Sequence, residues 1–495
     1  TETKVHALQY LIIPLFRNSI NRPSPDPAEP LLPEEMVDSI VRVLLDQRDE
    51  SIRVFDESLS AQLLQFATEL IRYVPNELVR HRKELIKFGW NHLKREDSIA
   101  KHHAFVNVAR FFEAYPAPDK IILQVYVALL RACQPEGRVL VREALDVLTP
   151  ALPKRLPHNP LDHKFPLWSR YTKKILVEEG HSMQHLVHIW QLIVRHESLF
   201  CRARASFVPQ MVNGLQRIGL ANNTTAENRR LAVDLAAMVI LWDERRANRE
   251  QRSFVEGGDH GGAGASAGSK RPRDNDQDGR GLKSAKASTN SAPGSEVQCV
   301  ATEWKETNRD DREEEDDDFR PSRPLCEIIV NFIARVAFAP QDLQERVLIA
   351  ERCFILLDQA LNLWPDIPVK LSHLEKVLES SVPPKKPSLS PSTKSQENSP
   401  GTTSVPGQDR SSDATKPEAA STDKNNSRAT AIQTALQICM VFITHQGISF
   451  VETNFPAIRA IIRPCFELEE PAKVSNFSDF LIRFSEVCPR FAESS

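Results

Sequence analysis

Residues Lys120 to Pro150 read KIILQVYVALLRACQPEGRVLVREALDVLTP, and the spacing of the apolar residues in this stretch decides the fold. Ile122, Val125, Tyr126, Leu129 and Leu130 fall at i, i+3, i+4, i+7 and i+8, which puts them on one face of a helix. Leu140, Val141, Ala144, Leu145 and Leu148 repeat the device in the segment that follows. No strand pattern and no catalytic signature separates the two. One such pair of helices cannot bury its own apolar stripe, whereas stacked neighbours can, so the stretch predicts an all-α stack.

The same pattern extends outward in both directions. Val74-Pro75, Tyr115-Pro116 and Thr149-Pro150 recur roughly 35 to 40 residues apart, within the period of HEAT-type helical pairs, and each proline is expected to close a helix. Periodicity predicts helices over about 4–20, 33–47, 58–74, 76–94, 97–115, 119–133, 136–150, 166–179, 182–197, 203–219 and 225–250. The first carries Leu8, Leu11, Ile12, Leu15 and Phe16 as its stripe, and the last Leu231, Leu235, Met238, Val239 and Trp242. Pro33 suits a first helical position ahead of Glu34 and Glu35, and Thr224 with Glu227 has the spacing of a capping box.

After about Arg252 the pattern collapses. Gly257 to Gly268 is nearly all Gly, Ala and Ser, and an acidic run from Asp310 to Asp318 follows later. Such composition cannot offset its ordering entropy by burying apolar surface. The expected organisation is therefore helical repeats over 1–252, a disordered insertion over 253–321, repeats again over 322–380, a disordered Pro/Ser/Thr-rich insertion over 381–427, and repeats over 428–495. Leu325, Ile328, Ile329, Phe332 and Val336 resume the helical spacing after the first insertion, and Ile432, Leu436, Met440 and Ile443 after the second. Loop-closure entropy grows only logarithmically with length, so one α-solenoid with two long insertions is the reading, not unrelated domains.

Composition excludes several classes. At 495 residues the chain exceeds what one compact core supports, and a net charge of -3 makes no case for a direct nucleic-acid site. The eight cysteines form no C-x-x-C pair, which argues against a zinc module and a disulfide framework. No apolar run approaches the roughly 20 residues that cross a bilayer, so no membrane partner is expected. The chain begins at Thr1 and is inside a helical pattern by Val5, so it reads as a piece of a longer protein.

Candidate sites are few. His181, His185 and His188 stand at helical spacing near Glu178 and Glu179, but H-E-x-x-H is absent and ordinary histidines are the reading. The tract around Gly262 and Gly264 follows no strand and lacks G-K-[ST], so it is not a phosphate loop. Neither kinase signatures nor G-x-S-x-G occurs, so no catalytic residue, cofactor or small-molecule substrate is expected. Arg80, Lys83, Lys87 and Lys94 form a basic stripe, offset from Val79, Ile86 and Leu93, which reads as a solvated face or as a docking surface for an acidic peptide. Lys270, Arg271 and Arg273 suit a nuclear-import signal, and Ser390 and Ser399 precede prolines as proline-directed phosphorylation sites do.

Several strings carry a family resemblance. RKELIKF from Arg82 to Phe88, QVYVALL from Gln124 to Leu130, and EGR from Glu136 with Leu140-Val141-Arg142 and Ala144-Leu145 closely resemble the helical-repeat region of the transformation/transcription domain-associated protein family. ILVEEGH from Ile175, FVPQMV from Phe207 and ENRRLA from Glu227 continue the likeness, which covers roughly the first 250 residues well and the remainder weakly. The resemblance implies a segment of a phosphatidylinositol-3-kinase-related pseudokinase. It further implies a nuclear, non-catalytic scaffold that docks acidic transcription activators and subunits of histone acetyltransferase complexes such as SAGA. The rivals are the repeat region of an active kinase of that group and a karyopherin-like transport adaptor.

Overall fold

The computed structural model describes residues 2–20, 32–45, 56–95, 99–159, 161, 163–257, 319–339, 342–369, 371, 418–467 and 476–489. Among these residues every regular element is helical. In chain order they are α1 (Glu2–His6), a π-helical stretch (Ala7–Ile12), α2 (Ile13–Ile20), α3 (Glu34–Ile40), a second π-helical stretch (Val41–Leu45), α4 (Glu57–Tyr73) and a 3-10 turn (Val79–His81). Next come α5 (Arg82–Leu93), α6 (Ile99–Ala114), α7 (Asp119–Arg131), α8 (Arg138–Arg155), α9 (Leu167–Glu179), α10 (Met183–Arg195), α11 (Glu197–Cys201), α12 (Arg204–Gly219) and α13 (Ala226–Gly257). Then follow α14 (Arg323–Val336), α15 (Leu343–Leu363), α16 (Glu418–Glu467) and α17 (Phe477–Val487).

The chain forms two compact units. One comprises Thr1–Arg245 and Asp317–Ser495, the other Arg246–Asp316. In the larger unit the helices pack with their next-but-one neighbours as well as their hairpin partners. In one layer α4 packs on α6, α6 on α8 and α8 on α10; in the other α7 packs on α9 and α12 on α14. This alternation is that of an α-solenoid. The described part of the second unit continues α13, with Arg246 paired to Glu250 one turn on.

The stripes read from sequence are the buried faces. Ile122, Tyr126, Leu129 and Leu130 of α7 and Ala144, Leu145 and Leu148 of α8 are fully buried. Burying a side chain of Leu or Ile size contributes about 1.5–3 kcal/mol, and these stripes supply many. Around the short α11 the aromatic rings meet edge to face, Trp168 of α9 against Phe200 at 5.2 Å and Phe200 against Phe207 of α12 at 5.5 Å.

Four local expectations differ from the structure. The proline at 150 does not close its helix: α8 runs through Pro150 and Pro153 to Arg155. Each proline there forfeits one i→i−4 bond on the solvent side, while Leu148, Leu152 and Leu156 remain buried on the core side, so continuing the helix keeps the apolar stripe intact. At the N-terminus Leu11, Ile12 and Leu15 are exposed, and the buried residues are Leu8, Ile13 and Phe16. The π-helical stretch, with its i→i+5 bonding, has rotated the register. The start of α13 is capped by Thr225, whose hydroxyl accepts from the Asn228 N–H, while Thr224 turns back to donate to the Ile218 carbonyl. Pro33 sits just before α3 instead of inside it, and its carbonyl accepts from Met36 and Val37.

One stretch, Ala429–Arg463, is after all long and apolar enough by composition to cross a bilayer. Half of its apolar window is buried inside the protein, and the helix breaks at Gly447, whose φ of 59° suits glycine. It is a core helix pair. The helix already includes Glu418, inside the span expected to be unstructured, and α13 runs on to Gly257.

Candidate docking surfaces

The second layer of helices differs from the first in charge. Within their spans α5, α7, α9, α12 and α14 carry twelve Arg and Lys against five Asp and Glu. The first-layer helices α4, α6, α8, α10, α13 and α15 carry sixteen against fourteen. Both layers put part of their cations to structural use.

Some are used for stacking. Arg155 at the end of α8 donates from Nε and Nη2 to the carbonyls of Phe112 and Glu113, at 2.6 and 2.7 Å, and so satisfies the open end of α6. Arg217 of α12 does the same for Gly180 beyond α9, at 2.9 Å. Lys173 of α9 donates to the Ser206 carbonyl of α12, and burial lowers the pKa of its amine. Arg195 binds Asp146 at 2.7 Å, with His196 on the same carboxylate oxygen at 3.1 Å. Buried polar atoms are thereby paired across successive hairpins. None of these residues was singled out from sequence; for Arg155, Arg195 and Arg217 the signal available was a position in the last helical turn, whereas Lys173, at mid-helix, offered none.

The basic stripe divides in the structure. Arg80 is not on the helix: it lies in the 3-10 turn, bound to Glu34 and, at 3.0 Å, to Asp38 of α3, with His81 on the same Asp38 at 2.7 Å. Lys83 and Lys87 lie one turn apart on α5, Lys94 just past its end, and all three are exposed with no ion pair among the described residues. The helix buries Leu85, Phe88, Gly89 and His92, whereas Val79 is exposed and Ile86 and Leu93 are only half-buried. The 3-10 turn, at three residues per turn, shifts the phase from the one counted through Val79.

The histidine set behaves as three separate residues. His188 Nε2 lies 3.1 Å from the Leu129 carbonyl, and burial lowers its pKa. His181 Nδ1 lies 3.2 Å from the Glu178 carbonyl. Among the described residues no group of three or more His, Cys, Asp or Glu is placed to hold a metal, and seven cysteines are free thiols. Gly262, Gly264, Lys270, Arg271, Arg273, Cys299, the acidic run Asp310 to Asp318, Ser390 and Ser399 lie outside the described residues.

A repeated two-helix stack, tied by side chain to carbonyl and carboxylate bonds between successive hairpins, defines an α-solenoid of HEAT type. Over residues 1–495 the sequence matches the family described as the Tra1 HEAT repeat ring region, and the chain belongs to that family. It is 36% identical over 401 residues to the "Probable transcription-associated protein 1" of Dictyostelium discoideum, covering 77% of this chain and 8% of that protein. It is 28% identical over 410 residues to the human "Transformation/transcription domain-associated protein", covering 76% and 10%. To the Saccharomyces cerevisiae "SAGA complex/NuA4 acetyltransferase complex subunit TRA1" it is 31% identical over 184 residues, covering 37% and 5%. The chain thus spans a tenth or less of the length of these curated relatives.

Proposed function

We propose that this segment is a non-catalytic docking scaffold within a nuclear transcription co-activator, joining activators and subunits of a histone acetyltransferase assembly. The relatives named as SAGA and NuA4 subunits support the assembly. The observation that carries docking is the second layer's cationic excess, ending in Lys83, Lys87 and Lys94 with no ion pair among the described residues. Exposed cations of this kind attract acidic, hydrophobically anchored segments, acting more on association rate than on final affinity.

The test is reversal of Lys83 and Lys87 to Glu in the 495-residue chain, with capture of an acidic activation-domain peptide followed at two salt concentrations. The association rate is expected to fall about tenfold at low salt and less at high salt, because surface charges are screened beyond about 8 Å at physiological ionic strength. Capture that is unchanged at both salts would sink the docking assignment. Arg80→Ala is the control: its guanidinium is engaged by Glu34 and Asp38, so its loss should leave capture nearly intact.

A further inference from the structure

The first layer offers a surface of the opposite character. Between α10, α13 and α15 opens a cleft of about 310 Å³ whose floor includes Val194, Met238 and Leu356. Its rim carries Glu197, Asp234 and Glu244 against one guanidinium, that of Arg352. The apolar floor does not stop at the cleft. Leu348 and Ile355, two turns apart on α15 and on the same side as Arg352, are 63% and 61% exposed, so the apolar strip runs on along the helix.

The charges decide what fits. Arg352 is consumed by Asp234, and Glu197 is held by Arg245 at 2.7 Å and by the Trp242 indole N–H at 3.0 Å. Glu244 on the rim and the exposed Glu351 beside Ile355 have no ion pair among the described residues. A strip of aliphatic floor flanked by two uncompensated carboxylates is complementary to an amphipathic helix that presents aliphatic anchors on one face and Arg or Lys beside them. Methionine in the floor suits such a groove, because its unbranched side chain adapts to different anchors.

We infer that this cleft and the Leu348–Ile355 strip receive a cationic amphipathic helix of a protein partner. The partner is opposite in sign to the acidic peptides proposed for Lys83 and Lys87, and the inference does not rest on that assignment.

The experiment uses the 495-residue chain and two dye-labelled, helix-favouring peptides of about 18 residues with leucine at i, i+3, i+4 and i+7. One carries arginine on the flanks of the leucine stripe, the other glutamate at the same positions. By fluorescence anisotropy the arginine peptide is expected to bind wild type at least about tenfold more tightly than its glutamate twin. The double variant Glu244→Lys/Glu351→Lys should invert that preference, and Ile355→Ser should weaken both peptides several-fold. All three positions reach solvent, and an unchanged melting curve shows that the variants fold. Lys83→Glu/Lys87→Glu should leave the arginine peptide's affinity unmoved, which separates this surface from the other. The inference is overturned if neither peptide binds, if the twins bind alike, or if the double variant keeps the wild-type preference.

Discussion

Two glycines in α12 give opposite expectations for the same substitution, and the contrast tests whether the stack is continuous across the first insertion. At Gly214 an added Cβ would meet only Ile218 Cδ1, at 3.7 Å, an ordinary contact. Gly214→Ala should therefore stabilise by up to about 1 kcal/mol, the usual helix-propensity difference between the two residues. At Gly219 the new methyl would lie 2.8 Å from Ala232 Cβ on α13 and 2.9 Å from two ring carbons of Phe332 on α14. Carbon atoms prefer about 3.5–4.0 Å, and neither a helical Cβ nor a fully buried ring can yield cheaply. Overpacking of this kind costs about 1–3 kcal/mol, and Gly219 ends the helix, where propensity returns little. The two variants should differ by about 2–4 kcal/mol in opposite senses. Because solenoids open in parts, the assay is hydrogen exchange across α12 and α14 alongside a thermal melt. Faster exchange over Arg323–Val336 in Gly219→Ala alone is expected. If Gly219→Ala melts at or above Gly214→Ala with α14 exchange unchanged, the close packing of segments on either side of the insertion is wrong.

Two more perturbations probe the stack. The Thr172 hydroxyl donates to the Trp168 carbonyl at 2.9 Å, so the fully buried Tyr126 hydroxyl, 2.7 Å away, must donate to Thr172. Tyr126→Phe should cost about 0.5–1.5 kcal/mol and Thr172→Val, which strands a buried hydroxyl, about 1–3; in the double variant the losses should be less than additive by chemical denaturation, and strict additivity would deny the bond. His188 is held neutral by burial below the ordinary value of 6.5, so the unfolded chain binds more protons than the folded one as pH drops under that value. Its contribution is present above pH 6.5 and lost as pH falls through the lowered folded value; His188→Gln, which can still donate to Leu129, should melt with a shallower acid-side decline, and an identical pH profile would remove the effect.

What was legible in the sequence is what repeats at helical period. The stripes of α7, α8 and α13 needed only the spacing of Leu, Val, Ile and Trp, because burial on one face is the dominant free energy and leaves a one-dimensional signature. Register shifts were not legible. The π-helical stretch that trades Ile12 for Ile13, and the 3-10 turn that detaches Arg80 from the Lys83 face, each alter the turn by a fraction of a residue without any change in composition. Proline was over-read at position 150, since its cost is local and the stripe beneath it continues. The partner of Arg80 was out of reach for another reason: Glu34 lies 46 residues away, and an ion pair between chain-distant exposed groups leaves no periodic trace.

The polar ties show why such a chain tolerates long insertions. Asn107 to Thr68, Tyr115 to Pro75, Arg155 to Phe112 and Trp242 to Glu197 join residues 39, 40, 43 and 45 apart, one repeat step each, although the participating residue types differ every time. Arg229 to Glu345 and Trp364 to Asp243 are ties of the same kind, with separations of 116 and 121 because the first insertion intervenes in sequence. Both pairs are largely buried, so breaking one partner would leave a desolvated charge or indole N–H at a cost of a few kcal/mol for each tie, whereas closure entropy takes roughly 0.6 kcal/mol per doubling, about 2 kcal/mol in all for lengthening a short turn about tenfold. The inserted length is therefore cheap relative to the joint it interrupts. Repeat geometry is fixed at each interface by a handful of side chains, which leaves the outer faces of both layers free to diverge in charge as far as their partners require.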